Sequence, residues 1–340
     1  MNLLLLLILS SFTIASELNH ERLQSIKELK RIAFGSCNNQ NDEQPLWQDL
    51  IRQKPDLWIW GGDNVYADWK EANSVKRAYE KQNQNQDYKK FKEVTPIIGT
   101  WDDHDFGYDN ATGNYPERDQ SQKLALEFFE EDPSSPRWSQ QGIYTSYRFG
   151  PREREVKIIL LDNRYFKATD PAHPMLGKVQ WEWLEQELAS SEAKVHFIVT
   201  GLTVLSPIIP YSEEWGETAA LSRMLEVLKK TKPKGLVFLT GDKHFSSIYQ
   251  RYGHLEFLAS GMTHVAPRKT WWYLRQKFPI TYFGLNYGQI DLDWEGEIPY
   301  MTFSIRNSAG RGYFKRTYRW GESRWIRETK DWSSPTLSRR

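Results

Sequence analysis

A single cysteine, Cys37, leaves this chain without an internal disulfide, so packing must hold its fold together. Excess charge of either sign is missing too. The 45 basic and 44 acidic residues give a formal net charge of +1. That balance gives no electrostatic reason to expect a nucleic-acid backbone as partner. No Gly-x-Ser-x-Gly elbow occurs, which disfavours a Ser-His-Asp hydrolase. Beyond the extreme N-terminus no apolar run is long enough to cross a membrane. Internal repeats and Pro/Gly/Ser linkers are absent, so one domain is expected over residues 17–340, and a monomer.

Aromatic carbon, by contrast, is abundant. The chain has 15 Trp and is 14% aromatic, which predicts bulky core packing rather than a dedicated aromatic binding surface. With 39% hydrophobic and 26% charged residues the composition is that of a soluble globular protein. Leu3 to Ile14 is almost wholly apolar, and the small residues Ala15 and Ser16 follow. This has the length of a signal-peptide core and is too short for a bilayer span of roughly 20 residues. Thr13-Ile14-Ala15 offers a cleavage site, and a charged segment, Glu17 to Lys30, follows directly. Residues 1–16 are therefore expected to be a signal peptide. The protein is then periplasmic or secreted, with no anchor after cleavage.

Apolar runs at Arg31–Phe34, Leu57–Trp60, Thr95–Thr100, Tyr144–Phe149, Val156–Leu161, Val195–Leu205, Gly235–Thr240 and Leu255–Ala259 read as strands. Helical patterns fall at Leu46–Gln53, Glu71–Lys92 (with a break expected within residues 82–86), Gln120–Glu131, Gly177–Leu188 and Thr218–Lys230. The tail from Gln289 reads as meandering strands, with a hairpin turn at Asn307-Ser308-Ala309-Gly310. Alternating helices and strands to about residue 264 predict a layered α/β sheet.

Five clusters follow these runs: Gly35-Ser36-Cys37-Asn38, Gly61-Gly62-Asp63-Asn64-Val65-Tyr66-Ala67-Asp68, Trp101-Asp102-Asp103-His104-Asp105, Leu161-Asp162-Asn163-Arg164 and Gly241-Asp242-Lys243-His244. Strand ends of open α/β sheets converge on one crevice. Carboxylates meeting there repel unless cations neutralise them, so a metal site is predicted. Asp242 and His244 share a face of an extended segment or chelate one ion from a tight loop. Asp102 to Asp105 is either a solvated acidic loop or a ligand cluster that frees His104 to donate a proton. Arg164 clamps a substrate anion or pairs with Asp162. Cys37 is a buried small hydrophobe or a ligand. Thiolate and phenolate, from Cys37 and Tyr66, suit a ferric ion, zinc being the alternative; the carboxylates suit a harder second ion.

Seven motifs in order, over roughly residues 30 to 265, resemble the alkaline phosphatase D (PhoD-like) family of calcineurin-type metallophosphoesterases. They are Phe34–Cys37, Gly62–Asp68, Thr100–Gly107, Leu160–Phe166, Leu176-Gly177 with Gln180-Trp181-Trp183-Leu184, Phe238–His244 and Ala259–His264. The resemblance implies a four-layer α/β/β/α sandwich with mixed central sheets and a site at the strand ends. It implies iron near Cys37, Asp63 and Tyr66, with calcium nearby; Zn²⁺ or Mn²⁺ are alternatives. Asp63 would bridge the metals, and Asp102, Asp103, Asp242 and His244 would complete their shells. His104 would act as acid or position substrate, and Arg164 would face the phosphate. The implied activity is hydrolysis of phosphomonoesters or phosphodiesters by a metal-bound hydroxide. The alternatives are a metal-bearing binding protein on the same fold, or a phospholipase-like or other ester hydrolase. A long N-terminal accessory region seen in some members is not expected ahead of residue 31, and Asp105-Phe106-Gly107 stands where many members carry Glu-Val. Residues 265–340 match no motif and are expected to close a sheet edge or shape the pocket, the edge being favoured.

Overall fold

The computed structural model describes residues 15–67, 71, 73–170, 172–207, 215, 218–278, 280–321 and 324–328. The expected leader, apart from Ala15 and Ser16, lies outside them, as does Asp68. Fourteen strands are formed among the described residues. In chain order they are β1 (Arg31–Gly35), β2 (Leu57–Gly61), β3 (Ile97–Thr100), β4 (Thr145–Phe149), β5 (Val156–Leu160), β6 (Val195–Thr200) and β7 (Leu236–Thr240). There follow β8 (Ser246–Arg251), β9 (His254–Ala259), β10 (Thr281–Tyr282), β11 (Tyr287–Asp293), β12 (Tyr300–Arg306), β13 (Gly312–Gly321) and β14 (Arg324–Arg327). They make two seven-stranded mixed sheets, ordered β14-β13-β12-β11-β1-β2-β3 and β10-β8-β9-β7-β6-β5-β4.

Side-chain alternation decides what each face meets. In β2, Leu57 and Ile59 join a core cluster that also takes Ile158 and Leu160 of β5, so the sheets face each other across it. Trp58 and Trp60 point the other way, into a cluster with residues of helices Leu46–Gln53, Ser74–Gln84, Gln86–Lys92 and Arg118–Phe128. Ile159 of β5 likewise turns outward, toward helices Gly177–Ala189 and Ala219–Thr231. Helices thus lie against the outer faces of the parallel runs β1-β2-β3 and β5-β6-β7, whose strands they join as crossovers. Trp47, Trp58, Trp60, Trp101, Trp181, Trp215 and Trp325 are all buried, as bulky core packing predicts.

The break expected within residues 82–86 falls at Asn85. Its backbone is extended, and its side chain accepts hydrogen bonds from Asp87 N and Tyr88 N, which caps the second helix. The tail does more than close an edge. β11 pairs antiparallel with β1, so β1 lies inside its sheet and the tail supplies four of seven strands. At the end of that sheet opposite β14 lies β3, which is buried, and there the Asn19 amide stands in for a neighbouring strand. It accepts from Ile97 N at 2.9 Å and donates to Ile97 O at 3.0 Å. β8 escaped the sequence reading because Ser246, Ser247, Gln250 and Arg251 mask its pattern. It returns to β9 through Tyr252-Gly253, both at positive φ, the geometry of a tight two-residue hairpin.

Candidate metal centre

The parallel strands of both sheets end together. β1, β2 and β3 lead into Cys37, Asp63 and Asp102; β7 and β9 lead into Asp242 and Ser260. An isolated parallel bridge, Ser36 to Ser260, joins the two sheets at this end. A Cβ at Gly241 would stand 2.5 Å from Ser36 Oγ and 2.8 Å from Gly61 O, so only glycine lets the β7 loop come this close. The strand expected to run through Gly201 instead stops at Thr200. Gly201 leaves room for Asp102, whose Cγ would lie 2.5 Å from a Cβ there.

Cys37, Asp63, Asp242 and His244 all have φ between 49° and 72°, a region that side-chain-bearing residues seldom enter. These sharp turns aim four side chains into one space. Three sets of ligand-type atoms lie mutually within 4.8 Å: Cys37, Asp63 and His244; Asp63, Asp103 and His104; Asp63, Asp102 and Asp242. Asp63 belongs to every set. Tyr66 Oη is 3.3 Å from Asp63 Oδ2 and 3.3 Å from His244 Nε2. The expected ligand candidates, Cys37, Asp63, Tyr66, Asp102, Asp103, Asp242 and His244, therefore come together, and His104 joins them.

Asp102 and Asp103 did not stay a strand-end loop. Asp103–Phe106 forms one helical turn, and the Asp105 carboxylate accepts from Asp102 N at 2.7 Å and Asn64 N at 3.1 Å. His104 rides on that turn, its ring 4.2 Å from Tyr66's. Arg164 is buried, and its partner is Asp102 rather than Asp162. Its Nε donates to Asp102 Oδ1 at 2.5 Å, and its Nη2 is 3.7 Å from Asp103 Oδ1. Asp162 serves its own loop instead, accepting from Trp101 Nε1, Ile143 N, Arg164 N and Tyr165 N. The guanidinium expected to face a phosphate thus lies against two aspartates of the site.

His264 ends the Ala259–His264 motif, which by itself implies no role for it. Its Nε2 is 3.0 Å from Tyr66 Oη and 3.1 Å from His244 Nε2. Its position after the β9 run was the available signal.

The charges are under stress. Burial, then the neighbouring Asp103 and Cys37, push the Asp63 carboxyl well above its usual range. Burial raises Asp102 to about 7, although Arg164 opposes the rise. Burial works against ionisation of Asp103 too, yet Arg164 and His104 hold it at about 2. Burial opposes ionisation of Cys37, but the His244 imidazole keeps the thiol below its usual value. Asp102 Oδ2 and Asp103 Oδ1 are buried without a hydrogen-bond partner among the described residues. Unsatisfied buried carboxylate oxygens converging on a shared aspartate are what a cation would satisfy, so these residues fit a metal cluster.

Residues 32–264 match the PhoD-like phosphatase family. Alkaline phosphatase D of Bacillus subtilis (strain 168) is 25% identical over 186 residues, which cover 44% of this chain and 31% of that protein. This chain therefore spans less than a third of that relative's length in the match. Among solved structures, PhoD aligns with a TM-score of 0.68 over 92% of this chain and 73% of its own, at 18% identity. GAP50, the anchor in the inner membrane complex of Plasmodium, aligns at 0.58 over 86% and 89%, with 12% identity. A dimetal phosphatase from Danio rerio aligns at 0.54 over 83% and 97%, also with 12% identity. These structural likenesses are likenesses of fold. The family match runs over more than half of the chain and takes in all the strand-end loops that build the centre, and on it this protein belongs to the PhoD-like phosphatase family.

Proposed function

We propose that this protein hydrolyses phosphoesters at a centre of two or three metal ions seated on the strand-end loops. The membership of Asp63 in all three ligand sets carries the proposal, because a shared carboxylate is how neighbouring ions are bridged. On this reading Cys37, His244 and Tyr66 would hold a ferric ion beside Asp63, since thiolate, imidazole and phenolate suit a softer, more acidic ion. Asp102, Asp103 and Asp242 would hold calcium on its other side. When bound, such ions stabilise charge on phosphoryl oxygens and raise the acidity of water.

In the reaction the water gives up one proton as its oxygen bonds to phosphorus, the bond from phosphorus to the alcohol breaks, and the departing oxygen takes up a proton. His104, carried on its one-turn helix against Tyr66, would supply or direct that proton. Arg164 would act through Asp102 and Asp103, fixing the carboxylates rather than gripping the phosphate. Asp105 would orient the Asp102 and Asn64 backbone in turn. Both monoesters and diesters are open to this chemistry.

Export to the periplasm or the medium is part of the proposal, supported by the apolar Leu3–Ile14 segment. Among the described residues no helix is long and apolar enough to cross a membrane. A mature chain from residue 17 would keep Asn19, which covers the β3 edge.

A second reading follows from the GAP50 likeness: a metal-bearing binding protein on the same scaffold. One experiment separates the two. Mature protein purified without chelators is assayed for bound metal and for hydrolysis of a chromogenic phosphomonoester and phosphodiester. Iron near one equivalent with calcium, and turnover abolished in Asp63→Asn, is the expected result. Metal without turnover of any phosphoester, even after reloading, would leave the binding protein as the better account.

A further inference from the structure

Beside the metal centre lies a cavity of about 450 Å³. It falls within the range of about 300–1,000 Å³ that small-molecule pockets occupy. Its walls are mainly carbon: Phe245, Ala266, Pro267, Tyr273 and Leu274. His244 lines it too, and His244 is also in the ligand set with Cys37 and Asp63. His244 is thus common to the proposed metal site and to an apolar pocket. Lys243 and Lys269 provide the only cationic groups among the lining residues, and the Lys243 ammonium pairs with Asp242.

The chamber is braced open. Trp271 stacks on Phe283 with ring centres 4.7 Å apart, and its Nε1 donates to Ala266 O at 2.8 Å. Phe245 in turn packs edge-on against Phe278 at 5.1 Å. These contacts fix the segment from Ala266 to Leu274 without filling the open pocket beside it. A preformed apolar cavity costs little to occupy, because no wall must be ordered on binding.

We infer that this chamber seats the alcohol portion of the phosphoester, and that the substrates are esters of a carbon-rich alkyl or aryl alcohol. The inference rests on the phosphoester reading. With phosphorus over the Asp63 cluster, an ester oxygen on the His244 side directs its carbon chain past the imidazole into the chamber. A sugar or glycerol hydroxyl would find few hydrogen-bond partners there, whereas each methylene would leave water for carbon.

The test uses metal-loaded mature protein and n-alkyl phosphates from ethyl to octyl. The acidity of the leaving alcohol hardly changes along this series, so chain length reports on the chamber. kcat/KM, followed by phosphate release, should rise about fourfold per methylene over the first few carbons. Thr270→Phe, which occupies the cavity, and Tyr273→Ala, which removes a wall, should each flatten that rise. Calorimetry with ethyl- and octylphosphonate gives a readout independent of turnover, and the octyl compound should bind at least tenfold tighter. Hydrolysis without chain-length dependence, or a dependence that both variants leave intact, overturns the chamber assignment while the hydrolase reading stands. Chain-length-dependent phosphonate binding without hydrolysis of any ester upholds the chamber and removes the hydrolase reading. Neither hydrolysis nor preferential binding removes both.

Discussion

Asp63 works against the stability of the chain that carries it. Its backbone sits at φ 49° and its carboxyl is buried among other acids. Left-handed backbone costs a side-chain-bearing residue about 1–2 kcal/mol. Asp63→Gly should therefore stabilise the metal-free protein by about 1 kcal/mol in urea unfolding. The same change should remove metal binding and turnover, a trade of function for stability. A metal-free variant less stable than its parent would show that Asp63 contributes packing rather than strain.

His196 carries a prediction of a different kind, remote from the site. It is buried in β6, its Nδ1 donating to Lys234 O at 2.7 Å and its Nε2 accepting from Ser191 Oγ at 2.8 Å. Burial lowers it from 6.5 to about 4. Between those pH values the unfolded chain binds the proton and the native chain does not. Stability must then fall as pH drops through that window. The loss approaches about 3 kcal/mol for a group this buried. His196→Gln should lose that part of the acid sensitivity, which unfolding curves at pH 7 and pH 4.5 would measure.

Among the elements, the β3 edge depends on a residue far from it in sequence. Asn19→Ala would leave Ile97 N and O without their partner, at a cost of about 1–3 kcal/mol. A lowered urea midpoint with unchanged metal content would confirm that the loss is structural. The strands that carry the centre were legible because apolar runs stop abruptly at short polar residues, as at Gly35-Ser36, Gly62-Asp63, Trp101-Asp102 and Gly241-Asp242. The one-turn helix at Asp103 was not, since Asp-Asp-His-Asp reads equally as a solvated loop. It exists because the Asp105 carboxylate binds the Asp102 amide, a contact that periodicity does not reveal. The Arg164 to Asp102 pair was missed for a related reason. The two residues are 62 apart in sequence, and Asp162 lay nearer to hand. β8 was hidden by its own polarity, and the tail's place inside the first sheet by the lack of any local signal for which strand a strand will pair with.

For the whole molecule, the crowded acids predict strong coupling between metal and fold. Chelation should lower Tm, and reloading with iron and calcium should restore it, because ligands that bind only the native state stabilise it by mass action. Scanning calorimetry before and after chelation tests this; an unchanged Tm would mean that the acids tolerate one another without cations.

The pairing of β1 with β11 also sets a timetable. Arg31 Nε reaches Asp291 Oδ1 at 2.6 Å across 260 residues of chain. The strand that delivers Cys37 has one neighbour, β2, within reach early in synthesis and must wait for the other until β11 has been made. Contacts of such long sequence separation close slowly. Throughout that interval the only thiol of the chain follows a half-paired strand. Where the chain meets an oxidising environment before β11 docks, the unfolded protein, not the native one, is where Cys37 is open to oxidation.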